Sequence, residues 1–202
     1  MGNNQANKTP RRRQILESLA RELESNPGSR ITTAGLARAV GISEAALYRH
    51  FPSKAKMFEG LIQFSEDTIF ELINRIQAEQ ARAEDRCQAL LQVLLGFADR
   101  NPGISRILLG DALVGEHERL RARVGQFYER VELQIKQFIR EGVMRGELAG
   151  DTDAAMLANL LMAAVEGKMS QFVRSGFSRR PLEHWERQWP LLRHSVFGAP
   201  GL

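Results

Sequence analysis

A chain of 202 residues, 43% hydrophobic and 26% charged, can bury a substantial core and is expected to be globular. No apolar run nears the roughly 20 residues of a membrane-spanning helix. The opening MGNNQANKTPRRR lacks a signal core, and Ala6 stands where myristoylation wants Ser or Thr, so a cytoplasmic location is expected. The net charge of +4 is unevenly spread: residues 1–60 carry 10 Lys and Arg against five Glu, which leaves 18 basic and 19 acidic residues for the other 142. A nucleic-acid-binding head on a near-neutral body shows this asymmetry, although a solvated face does too.

Apolar residues recur at spacings of 3 and 4 along nearly the whole chain, and no stretch alternates cleanly, so the fold class is all-α. Residues 1–9 are polar and read as a disordered tail. A first helix follows Pro10, buries Ile15, Leu16, Leu19, Ala20 and Leu23, and ends at SNPGSR. Thr32 or Thr33 caps a second helix and Gly41 stops it; Ser43 caps a third, and Pro52-Ser53 breaks the chain after Phe51. The head therefore spans residues 10–53, and a long helix from Lys54 to near Gln80 joins it to a helical body, residues 54–202. Further helices are expected near 85–99, 103–115, 117–145, 152–174 and 182–196, separated by RNPG, GE, RGELAGD and SRRP.

Two short helices joined by GIS form a helix-turn-helix, whose first helix braces on the DNA backbone and whose second enters the major groove. At 100° per residue, Ala46, Leu47 and Phe51 of the second helix point to the core, His50 falls toward the inner side, and Glu44, Ala45, Tyr48 and Arg49 face outward. Arg49 can donate to guanine or phosphate, Tyr48 to phosphate, and Ala45 is small enough to approach a thymine methyl. Lys54, and Thr32 and Thr33 at the bracing helix, stand at helix N-termini where exposed N–H groups hold phosphate.

Those residues carry a resemblance. ITTAGLARAVGISEAALYRHFPSK, with Tyr48, His50, Phe51 and Lys54 in their places, is similar to the signature of the TetR family of DNA-binding proteins. LLGFADRNPGISRILLGDAL and EGKMSQFVRSGFSRRP resemble its nucleoid occlusion branch, over about residues 11–197. The resemblance implies a TetR-like architecture and a homodimer on palindromic double-stranded DNA, as one dimer or several on a site. It also implies a nucleoid-associated protein that antagonises assembly of the division protein FtsZ.

Dimerisation is expected through the last two long helices. AAMLANLLMAAVEGKMSQFV is apolar around most of its circumference, with Leu157, Leu161, Val165 and Met169 as the candidate contacts. Gly96, inside the otherwise strong helix LLQVLLGFADR, costs about 1 kcal/mol relative to Ala. It is explained either by close helix packing or by a partner's backbone approaching there. Val93, Gly96 and Arg100 form one stripe, ended by Asn101; Phe64, Thr68, Leu72 and Arg75 form another on the linking helix. Two such stripes suit an extended or short amphipathic peptide. The resemblance implies that this peptide is the C-terminal tail of FtsZ, with Phe64, Gly96 and Arg100 matching the branch, Val93 replacing a leucine, and Leu72 standing where a basic residue is usual.

Catalysis has no constellation to rest on. Cys87 lacks an adjacent base, and His50, His117, His184 and His194 show neither HExxH nor a paired metal spacing, so no catalytic residue, cofactor or metal is expected. The rival function is a repressor released by a small ligand, for which Met156, Met162, Met169, Phe127 and Phe138 are the candidate pocket residues, although such residues at helical spacing are more often core.

Overall fold

The computed structural model describes residues 8–26, 31–116 and 118–198. The expected tail up to residue 7, most of the SNPGSR break and His117 lie outside the described residues. Among the described residues there are nine α-helices and no strand: α1 Lys8–Ser25, α2 Thr33–Val40, α3 Glu44–His50, α4 Lys54–Glu79, α5 Ala83–Arg100, α6 Pro102–Leu108, α7 Glu118–Met144, α8 Ala154–Arg174 and α9 Trp185–Phe197. α1 starts two residues before Pro10, which the first turn tolerates because its N–H would be unpaired there anyway. The single helix expected over 103–115 ends instead at Leu108. Gly110, at φ 78°, turns the chain into a separate 3₁₀ turn, Asp111–Leu113. No described helix is long and apolar enough to cross a membrane.

The described residues group into two compact units, one within 1–65 and 101–124, the other within 66–100 and 125–198. The sequence-based boundary at residue 53 thus misses that α6 packs into the first unit. Ile15, Leu19 and Leu23 of α1, Leu36 of α2, Leu47 of α3 and Ile104, Ile107 and Leu108 of α6 are all buried. Gly103 permits close approach: a Cβ there would lie 2.1 Å from the Ala20 carbonyl oxygen. The buried Arg106 fastens the same contact, donating from Nη1 to the Leu23 carbonyl at 2.7 Å and pairing with Asp111 at 2.5 Å, so an open carbonyl at the end of α1 is satisfied.

The second unit packs α5, α7, α8 and α9 around Leu91, Leu95, Phe138, Ile139, Val165, Phe172 and Trp185. Cys87 is fully buried in it, and burial pushes its thiol up to about 12, which leaves a structural, unreactive cysteine.

Candidate nucleic-acid interface

Thr32 Oγ1 accepts from the Gly35 N–H at 3.1 Å to cap α2, and Gly41, at φ 74°, closes the helix by donating to Ala37 and Arg38. Ser43 Oγ accepts from Ala46 at 3.2 Å to cap α3. Thr32 and Ser43 therefore have local capping roles that build the turn. Leu47 and Phe51 are buried, whereas Glu44, Ala45, Tyr48 and Arg49 are exposed, as the helical projection places them. Ala46 is only half-buried. His50 is half-buried too, and its carbonyl accepts from Arg12 Nη1 at 2.7 Å while that guanidinium stacks 4.2 Å from the Phe51 ring. One arginine at the entrance of α1 is thus spent on locking α1 to α3. Its bare place in RRR could not single it out.

Three expected phosphate donors have partners of their own. Thr33 donates its hydroxyl proton to Glu44 at 2.8 Å, and the Tyr48 hydroxyl approaches Thr33 Oγ1 at 3.4 Å. Lys54 is paired with Glu116 at 2.5 Å, with the two side chains only 21% and 17% exposed, and its ammonium lies 5.5 Å from the Phe58 ring. Glu116, 62 residues away in sequence, is the site residue that sequence reasoning missed. Nothing local marks it.

A DNA phosphate meeting Lys54 would have to compete with Glu116 for its ammonium. Glu116→Gln is therefore expected to tighten DNA binding about 3- to 10-fold near 0.1 M salt and to steepen the salt dependence by about one unit, since one more cation is released to the backbone. In a Lys54→Ala background the same substitution should bring no gain. Weaker binding by Glu116→Gln, in fluorescence anisotropy across a salt series, would mean that Glu116 holds Lys54 in its DNA-contacting position.

The model of the tetR family of bacterial regulatory proteins matches residues 15–61, and the SlmA-like, tetracyclin repressor-like C-terminal domain matches residues 82–196. Over 192 residues the chain is 54% identical to the nucleoid occlusion factor SlmA of Idiomarina loihiensis, covering 95% of this chain and 98% of that relative. The chain belongs to the SlmA branch of the TetR family. The SlmA of Shewanella woodyi is 56% identical over 189 residues, 94% of this chain and 96% of that one. At the level of fold alone, the TetR transcription regulator from Haloarcula marismortui superposes with a TM-score of 0.78 at 21% identity, over 93% of this chain and 98% of that one.

Phe64, 48% exposed, and Asn101 belong to the first unit; Leu72, Arg75, Val93, Gly96 and Arg100 belong to the second. Within the second unit the Arg100 guanidinium lies over Gly96, whose missing Cβ would sit 3.6–3.9 Å from it, an ordinary contact. The neighbouring Asp99 is taken by a two-pronged pair with Arg180, and Arg100 makes no ion pair among the described residues. Arg75 shares its charge with Glu71 at 2.5 Å on its own helix.

The four expected dimer residues require correction. Leu157, Leu161, Val165 and Met169 are 8%, 0%, 0% and 2% exposed, packed inside their own protomer. The open face of α8 carries Met156, Leu160, Ala163 and Gly167 instead. Met156, also named as a pocket residue, is therefore on the surface, while Met162, Met169, Phe127 and Phe138 are buried core. Among the described residues no group of three or more His, Cys, Asp or Glu is placed to hold a metal ion.

Proposed function

We propose that this chain is a nucleoid-associated, sequence-specific DNA-binding protein that, held on chromosomal sites, antagonises FtsZ polymer assembly over the nucleoid. The supporting observation is that 54–56% identity to SlmA proteins runs through body as well as head, so the reading does not lean on the helix-turn-helix alone. α3 presents Glu44, Ala45, Tyr48 and Arg49 to the major groove, while Lys54 and the backbone N–H groups at the start of α2 meet phosphates. The FtsZ tail is received around Gly96 and Arg100 of α5, with Leu72, Arg75 and Val93 in the same unit.

A second copy covers the open face of α8. Two-fold symmetry then sets two recognition helices roughly 34–36 Å apart and requires a pseudopalindromic site. Leu160, 45% exposed, is the informative position. Leu160→Glu should give a folded monomer near 22.7 kDa by light scattering, because a charge is placed on the face that must lose water. Leu161→Glu should unfold the protomer. A dimer unchanged by Leu160→Glu would put the contact elsewhere.

A ligand-released repressor is less well supported, because Phe127, Phe138, Met162 and Met169 pack as core, with Phe127 edge-on to both Phe70 and Tyr128. FtsZ sedimentation with this protein, with and without DNA bearing a selected site, separates the two functions. Loss of polymer, greater with DNA, is the expected result; intact polymer in both arms would overturn the proposal.

A further inference from the structure

Glu44 is the only acidic residue between Glu24 and Glu59, a stretch that also contains Arg30, Arg38, Arg49, Lys54 and Lys56. It stands exposed on the face of α3 that the reading above turns toward DNA. A carboxylate there repels phosphates, so its presence calls for a compensating interaction. Stabilising the N-terminus of α3 is one explanation. That interaction holds for any carboxylate in the first turn and sets no direction for the side chain; capping is left to Ser43, and Glu44 Oε2 instead accepts the Thr33 hydroxyl proton from α2 at 2.8 Å.

Thr33 has one proton to give and gives it to Glu44, so it can only accept from Tyr48, whose hydroxyl is 3.4 Å away. The carboxylate is thereby oriented by a neighbouring helix, with Oε1 accepting no bond among the described residues. An oriented group that only accepts, on a major-groove face, matches a base edge that donates. Guanine and thymine present acceptors (N7 and O6, or O4), which a carboxylate repels. Adenine donates from N6 but sets the N7 acceptor beside it, whereas cytosine offers its N4 amino group alone.

We infer that Glu44, positioned by Thr33, reads the N4 amino group of one cytosine in each half-site and rejects guanine and thymine there. This rests on the DNA-binding reading of the head. The test starts from duplexes selected by the full-length parent protein from a random library. A panel in which each base pair of the selected site is changed symmetrically is then measured by competition. The parent should prefer cytosine roughly 10-fold or more at one symmetric position. Glu44→Ala should reduce that preference to within about 2-fold at that position alone, and Glu44→Gln should move it to adenine, which Gln pairs through N6 and N7. Thr33→Val should weaken it without changing the preferred base. A uniform loss of affinity over the whole panel, or an unchanged profile with either Glu44 variant, would overturn the inference and leave Glu44 a structural residue. Failure of the parent to select any sequence would instead overturn the DNA-binding reading, and the inference with it.

Discussion

Gly96→Glu and Arg100→Asp are each expected to abolish inhibition of FtsZ polymers while leaving DNA affinity and dimer mass unchanged. Arg100 is a cation without an ion-pair partner among the described residues, lying over a glycine at i−4. Glu at position 96 would fill that space and, four residues ahead of Arg100 on one helix face, would neutralise its charge; Asp at 100 would reverse it. The discriminating variant is Gly96→Ala. A Cβ there meets nothing nearer than 3.6 Å, so packing within the chain does not require glycine, and Ala should stabilise α5 by up to about 1 kcal/mol. A higher melting temperature combined with weaker FtsZ inhibition would show that the glycine is kept for a partner. Full inhibition by all three variants would place the FtsZ surface elsewhere.

Gly103→Ala should do the opposite, with a melting temperature lowered by about 5–10 °C, a loss of roughly 2–3 kcal/mol. The added methyl would lie 2.1 Å from the Ala20 carbonyl oxygen and 3.1 Å from the Glu24 nitrogen, both backbone atoms that no rotamer change can move. α1 and α6 would have to part, loosening Ile104, Ile107 and the Arg106 bond to Leu23. Thermal unfolding followed by circular dichroism measures this directly; an unchanged midpoint would mean that the two helices slide apart without cost. DNA affinity should fall as well, because α1 is also the helix that Arg12 ties to the end of α3.

These two glycines show where sequence reasoning stops. Both sit in helices, but the sequence marks only Gly96 as costly and leaves Gly103 in the RNPG break, yet it is Gly103 that the chain's own packing requires and Gly96 that it does not. Propensity is a property of one helix, whereas the distance from a missing Cβ to a neighbour depends on how two helices meet. α8 makes the same point. Its apolar residues cover most of the helix, so periodicity could not choose between the face packed at home, through Leu157, Leu161, Val165 and Met169, and the open face of Met156 and Leu160.

The sequence by itself determined what local rules govern: an all-helical chain, a helix-turn-helix with caps at Thr32 and Ser43 and a left-handed stop at Gly41, and an outward face of Glu44, Ala45, Tyr48 and Arg49. Each depends on hydrogen bonds or periodicity within a few residues. Only the tertiary structure decided that α6 belongs with the head, that Arg12 and Arg106 satisfy carbonyls of other helices, and that Lys54 is held by Glu116. The reason is sequence distance. A contact spanning 38, 62 or 83 residues leaves no periodic mark on either partner, and a charged side chain reads the same whether it will face a phosphate, a carbonyl or a carboxylate.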